Sequence, residues 1–329
     1  MDFLQLNEIL SQVQIFEGII GLLGNFLVCL TIVKTKSLHS TTNFMLLNLS
    51  VADLIVSIFL IAEPYGIRYF RSHIAFDVPC TDFLIYNFNS FFVIQFFQRV
   101  VAAHSVLGLT LATFERYIGI IKPLHYSAFF SKGRIMLLLF VIWVSPFFIE
   151  LHCTVFFITV FQETNCTVPS MMTHEFELIT DNTVRFILLF IIPSIAIAFM
   201  YVRILLNLKR GAQHLENQGI QGPPQELHRA HKKVTQSLVL VISAFFILLL
   251  PAQIMRNSII YTNYFQGQLM RAEVTNKIVS LLTSLNSSIN PILYGFKYSQ
   301  LRRACIAMMC PFKFCKRQNQ VHIIMDQKT

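Results

Sequence analysis

Apolar residues run along this chain in seven long blocks, near 15–34, 43–68, 86–117, 134–157, 183–207, 233–258 and 273–296, with short polar stretches between them. Each block is too long for a sheet strand and, at roughly 20 residues, long enough to cross a bilayer. A backbone in lipid must satisfy its own hydrogen bonds, so each block predicts a helix. The expected fold is all-α, an integral-membrane bundle of seven transmembrane helices. The longest linker on the charged side, GAQHLENQGIQGPPQE (211–226), carries a Gly-Pro-Pro turn signal and predicts an irregular loop. After the seventh block, Phe296, Leu301, Cys305 and Met308 recur at helical spacing beside Lys297, Arg302 and Arg303. That pattern predicts a short amphipathic eighth helix lying against lipid head groups. The chain therefore divides into an extracellular segment 1–14, a seven-transmembrane domain 15–296, the amphipathic helix 297–309 and a cytosolic tail 310–329.

Composition agrees: 54% hydrophobic and 13% charged residues and a mean hydropathy of +0.59 exclude an ordinary soluble domain. The net charge of +9 is distributed unevenly. Lys34 and Lys36 follow the first span, Lys122, Lys132 and Arg134 the third, Lys209, Arg210, Arg229, Lys232 and Lys233 the fifth, and more basic residues the seventh. The opposite side offers Arg68, Arg71 and Arg271. Basic loops stay in the cytosol, so the expected topology is a multi-pass plasma-membrane protein with its amino terminus outside and its carboxyl terminus inside. Scattered over loops, these charges suit an inner membrane surface and not nucleic acid. The first residues, MDFLQLNEILSQVQIF, lack a basic start and a small-residue cleavage site, which leaves the first span as the expected insertion signal.

The seven cysteines sort by side. Cys29 reads as a small core residue. Cys80, Cys153 and Cys166 fall toward the outer side, where oxidation is allowed. Cys305, Cys310 and Cys315 sit just inside the membrane, at palmitoylation positions. Asn165-Cys166-Thr167 is a glycosylation sequon in an outer loop; those at Asn48 and Asn286 lie inside spans and are discounted.

Polar groups within spans are expensive and read by default as functional. Here they are Gly24-Asn25, the run LSVAD ending in Asp53, Ser105, and NSSINPILY (286–294). Asp53 needs partners near mid-membrane, and Ser105, Asn286, Ser287 and Asn290 can supply them together with a cation or a proton. At a membrane boundary, Glu115 lies beside Arg116, a pairing too costly there unless the charges meet or work.

These motifs resemble, one per span and in order, those of the rhodopsin-like G-protein-coupled receptors. Gly24-Asn25, LSVAD, Glu115-Arg116-Tyr117, Trp143, Pro193 with Tyr201, Phe245 with Pro251, and Asn290-Pro291-Ile292-Leu293-Tyr294 carry the resemblance over nearly the whole chain. It implies a receptor that binds an extracellular ligand and activates a heterotrimeric G protein by helix rearrangement. Glu115 would hold Arg116 at rest and release it to the G protein, the guanidinium remaining charged throughout. Tyr201 and Tyr294 resemble the tyrosines that swing inward when the sixth helix moves out. Asp53, Ser105, Asn286, Ser287 and Asn290 resemble the family's sodium pocket, so a bound sodium ion is expected to favour rest; no other cofactor or metal is implied.

Four departures sharpen the expectation. Leu249 stands where the family has its sixth-helix tryptophan, and His231 where an acid completes the arginine's restraint. The resting state is therefore expected to be loose, with appreciable ligand-free activity. Cys80 lies eleven residues before Phe91, the position of the family's third-helix cysteine. The resemblance still implies a Cys80–Cys166 disulfide, with Cys153 as the rival partner. Gln98 replaces the aspartate of amine receptors, and Lys277 lies two turns from Ser284, where opsins attach retinal. A conventional amine and a photoreceptor are thus disfavoured. Gln98, Arg99, Arg185, Leu249, Arg256 and Lys277 are the ligand candidates. Their cations suit the carboxylate of a small acid, a lipid acid or a peptide terminus; alternatively they pair with Glu63, Glu150 or Glu273.

Catalysis has no support. His104 and His152 are isolated in sequence, and no Ser/His/Asp or Cys/His set has ligand or triad spacing. The competing class is a seven-helix transporter or channel with Asp53 as its ion-coupling residue. Paired broken helices or symmetry between halves would mark it, and neither is present in the sequence.

Overall fold

The structure is a computed structural model that describes residues 3–74, 93–163, 175–218, 239, 242–258, 269–297 and 299–309. Among these residues every regular element is helical. The long helices are α1 (Phe3–Lys34), α2 (Thr41–Ile74), α3 (Val93–Ile121), α4 (Lys132–Glu163), α5, α6 (Ile242–Ser258) and α7 (Leu269–Lys297), followed by the short α8 (Ser299–Met309). Helix α5 runs as Glu175–Phe186, a π-helical turn Ile187–Ile191, and Ile192–Asn217. The turn sits directly before Pro193, which has no N–H to continue the ladder, so the wider turn absorbs the missing bond.

Helix α1 packs on α2 and α7, while α3 lies at the centre against α2, α4 and α5. Close approach along α1 depends on glycine. A Cβ at Gly21 would stand 2.5 Å from the Ser57 hydroxyl and 2.7 Å from that of Ser288, and one at Gly24 would stand 3.0 Å from Pro291. The apolar core gathers Val28 and Ile32, Leu46 and Leu49, Val106 and Leu109, Phe190 and Ile197, and Ile242, Phe245 and Leu249, with Leu301 of α8 closing one end. Leu249 belongs to this packing, next to the stacked rings of Phe190 and Phe245.

The outer surface inverts the soluble pattern. Phe16, Phe26, Phe140, Phe148, Phe199 and Ile247 are exposed, while Gln14, Asn25, Asp53, His104 and Asn290 are almost wholly buried. Such a surface is satisfied by lipid, and among the described residues four helices are long and apolar enough to cross a membrane by length and composition alone. Helix α6 is described only over a shorter apolar stretch. Helices α3 and α7 carry more polar groups, such as Ser105, Asn286 and Asn290, and packing hides them.

Element boundaries differ from the sequence pattern chiefly at α1, which starts at Phe3 and not near residue 15. The extra turns carry Asn7 and Ser11, and Lys277 of α7 donates to the Asn7 carbonyl at 3.0 Å and to the Ser11 hydroxyl at 2.6 Å. A polar seam invisible to hydropathy thus extends the helix. Cys80, Asn165, Cys166, His231, Cys310 and Cys315 lie outside the described residues, as do the side chains of Glu273 and Tyr294. Cys153 is a free, buried thiol. Cys305, on α8, turns its sulfur toward Thr31 of α1 at 3.3 Å.

Candidate functional site

Polar side chains collect at three levels of the bundle. At one end, α3 delivers Glu115 and Arg116, with Glu115 almost fully buried. Arg116 Nε stands 3.1 Å from Glu115 Oε2, an ion-pair contact without hydrogen-bond alignment between those atoms. The guanidinium donates instead to the Thr42 hydroxyl of α2, which itself donates to Glu115 Oε1 at 3.2 Å. The Tyr126 hydroxyl, from the loop after α3, donates to the same oxygen at 2.6 Å. The arginine is therefore held by one charge and one hydroxyl, and two hydroxyl donors fix the glutamate where it meets the guanidinium. These residues line a cavity of about 640 Å³ together with His39, Pro123 and Gly119. Tyr117 turns the other way and packs against the apolar cluster around Met45 and Ile118. Thr42 and Tyr126 were not singled out by sequence; nothing in local spacing shows that a loop tyrosine and the start of α2 meet an acid on α3.

Burial, and then the hydrogen bond and charge of Glu115, push the Tyr126 phenol up from 10 to about 12. Because the folded value is raised, the stabilisation is complete below pH 10 and is lost as pH rises toward 12, so the phenol is a neutral donor at physiological pH. Tyr126→Phe is expected to remove a hydrogen bond to a charged group. At about 1 kcal/mol on this partly exposed residue, that is roughly a fivefold shift toward the released arginine. Ligand-free signalling at matched surface level should rise accordingly, and an unchanged signal would mean that the phenol does not restrain the pair.

At mid-bundle, Asp53 is fully buried. Ser105 Oγ donates to its Oδ1 at 3.2 Å and Asn290 Nδ2 to its Oδ2 at 2.8 Å, so α2, α3 and α7 meet at one carboxylate. Asn286 and Ser287 are buried on the same stretch of α7. Asn25 joins α1 to the group by donating to the carbonyls of Gly21 at 3.0 Å and Ser287 at 3.2 Å. Pro291 faces the groove left by Gly24. Nearby, Trp143 Nε1 donates to Asn48 Oδ1 at 2.9 Å, and the His104 ring lies 3.8 Å from the indole. Tyr201 packs against the α5–α6 core, its hydroxyl buried without a partner.

At the far end the cations meet acids. Glu150 of α4, itself almost buried, binds Arg99 Nε at 2.9 Å and Arg185 at 3.3 Å. Arg99 also donates to Thr154, and Arg185 to Asn182 Oδ1 at 2.6 Å. Asn182 passes the chain to Asn257 of α6 at 2.7 Å. Gln98 donates to Glu63 at 3.2 Å, as do Ser280 and Gln14. Arg256 differs: its Nε is buried with no hydrogen-bond partner, and the charges around it are Arg185, Arg99, Glu150 and Glu63. Three guanidinium groups there face two carboxylates. The pairing alternative thus holds for Arg99 and Arg185, Lys277 is engaged by α1, and among the described candidates Arg256 is the cation whose Nε has no partner. Leu249 lies with the core and not among these cations.

The family model described as "7 transmembrane receptor (rhodopsin family)" matches residues 24–294. Among curated proteins, the chain is 26% identical over 306 residues to the allatostatin-A receptor of Bombyx mori, covering 90% of this chain and 78% of that one. It is 28% identical over 310 residues to neuromedin-U receptor 2 of Rattus norvegicus, covering 90% and 74%. Galanin receptor 2b of Danio rerio is 24% identical over 308 residues, covering 93% and 76%. With the paired Glu115 and Arg116, the Asp53 cluster and the far-end cations on one helical bundle, the chain belongs to the rhodopsin family of seven-transmembrane receptors and is a multi-pass, G-protein-coupled receptor for an extracellular ligand.

Proposed function

We propose that this receptor lies in the plasma membrane with its amino terminus outside, and that its ligand is a peptide whose carboxylate docks on Arg256. The observation that carries the reading is Arg256, whose buried Nε is left without a hydrogen-bond partner while its neighbours Arg99 and Arg185 share Glu150. A ligand carboxylate would meet it with charge-assisted, bidentate geometry in a site already short of negative charge. The names of the similar receptors point to allatostatin-A, neuromedin-U and galanin, which supports a peptide over a small metabolite. The lysine and arginine distribution supports the orientation, placing Arg256 on the outer side and Arg116 on the cytosolic side. Arg116 is then the residue offered to the G protein, and its partners Glu115, Thr42 and Tyr126 form the restraint that must open.

The test is a screen of peptides with free and amidated termini, read as G-protein activation by the wild type and by Arg256→Gln. A charged hydrogen bond is worth about 1.5–3 kcal/mol, so potency for an acid-bearing agonist should fall roughly 10- to 100-fold while maximal response is kept. Equal potency on both receptors would remove Arg256 from the ligand site, and a response only to small acids would replace the peptide with a metabolite.

For Asp53, a sodium ion completes the coordination that Ser105 and Asn290 begin, since a buried carboxylate needs a compensating charge. The oxygens of the Asp53 carboxylate and the Ser105 hydroxyl suit a hard cation. Sodium in place of a large organic cation should lower agonist affinity in the wild type and not in Asp53→Asn. Identical sodium sensitivity in the two would count against the ion. For the lipid anchor, the contact of the Cys305 sulfur with the Thr31 hydroxyl at 3.3 Å favours Cys310 and Cys315 as acylation positions.

A further inference from the structure

Beside the far-end cations, one cluster of metal-binding atoms among the described residues stands between α4 and α5. His152 and Cys153 are consecutive on α4, and Asp181 lies on the Glu175–Phe186 segment of α5. One donor atom from each, an imidazole nitrogen, a thiol sulfur and a carboxylate oxygen, lies within 4.8 Å of the others. We infer that His152, Cys153 and Asp181 form a binding site for a borderline-soft divalent cation, zinc being the best match.

Geometry favours this over an ordinary ion pair. His152 Nδ1 and Asp181 Oδ1 are 3.5 Å apart, long for a hydrogen bond. Two ligands at about 2.0–2.2 Å from one tetrahedral zinc stand roughly 3.5 Å apart. The sulfur completes a nitrogen, sulfur and oxygen set, which selects zinc over calcium or magnesium. Cys153 is a free thiol, so its sulfur is not consumed by a disulfide. Binding replaces the thiol proton, which leaves to water, by a zinc–sulfur bond. Thiolate and carboxylate together then cancel the charge of the ion, as a low-dielectric site requires. His152 is 77% exposed in its side chain, whereas Asp181 is 21% exposed and Cys153 is buried. The imidazole is thus free to close over an ion that enters from the surface, and solvent takes the fourth position.

Such an ion would tie α4 to the first segment of α5, directly before the π-helical turn Ile187–Ile191. Asp181 is followed within one turn by Asn182 and Arg185, which reach Asn257 and Glu150. The ion would therefore grip the segment that links α4 and α6 at the ligand end.

The experiment uses full-length receptor in lipid nanodiscs, stripped with chelator and titrated with zinc alone and then with cobalt alone. The expected result is saturable zinc binding that excess calcium and magnesium leave unchanged, and a thiolate-to-cobalt charge-transfer band in the near ultraviolet. His152→Ala, at an exposed position that leaves the fold intact, should weaken zinc binding by about tenfold or more. Cys153→Ser should abolish the cobalt band. Zinc affinity unchanged in His152→Ala, or a wild-type receptor that gives no thiolate–cobalt band, would overturn the assignment.

Discussion

Glu150→Gln is expected to deplete folded receptor more than any other single change among the far-end charges. Glu150 Oε2 carries both Arg99 at 2.9 Å and Arg185 at 3.3 Å, and its own side chain is only 4% exposed. The amide keeps the shape and one acceptor but removes the charge. Arg99 and Arg185 would then lose the carboxylate that both of them contact. Removing one partner of a buried ion pair costs about 3–5 kcal/mol, because the other is left charged and dry. The lower end, about 3 kcal/mol, applies here, since Arg99 and Arg185 reach partly into solvent. The measurement is thermal stability of the purified receptor, with surface level as a second readout. Removing Arg99 in the same chain (Arg99→Gln with Glu150→Gln) should recover part of the loss, because it relieves the excess charge. A Glu150→Gln receptor as stable as the wild type would show that solvent, and not Glu150, compensates these arginines.

Arg116→Ala is expected to abolish G-protein activation and to leave ligand binding near its wild-type value. The guanidinium has only the Glu115 charge and the Thr42 hydroxyl to hold it, and it borders an open cavity of about 640 Å³. Arginine supplies five donors on a permanently charged plane, which no shorter side chain reproduces. The substitution does not orphan Glu115, because Tyr126 at 2.6 Å and Thr42 at 3.2 Å still donate to it. The cost therefore falls on partner recognition more than on stability. Although Glu115 is buried, its two remaining donors keep the loss to about 1 kcal/mol, and a much larger thermal shift of the mutant would contradict that division.

How far the sequence could be read depended on the range of each interaction. Helix identity followed from hydropathy, because lipid leaves the backbone no alternative to helix. Asp53 with Ser105 and Asn290 was legible because an acid inside a span must find donors, and few polar residues were on offer. The pairing of Arg99 and Arg185 with Glu150 remained open, since residues far apart in the chain met only through the packing of α3, α4 and α5. The start of α1 at Phe3 was hidden for the same reason: Asn7 and Ser11 look like a polar amino-terminal tail until Lys277 of α7 is placed beside them. Tyr126 and Thr42 escaped notice because each is unremarkable locally and acquires a role only from Glu115. His152 read as isolated because its partner Asp181 lies on the next helix.

The central claim is that Arg116, restrained by Glu115, Thr42 and Tyr126, is the switch through which this receptor reaches its G protein. It is tested most directly by nucleotide exchange on a panel of purified G proteins, driven by reconstituted receptor without ligand, with wild type and Arg116→Ala compared at matched receptor level. Exchange above the receptor-free rate is expected with wild type on at least one G protein, and its loss is expected in Arg116→Ala. Equal exchange with the two receptors would contradict it.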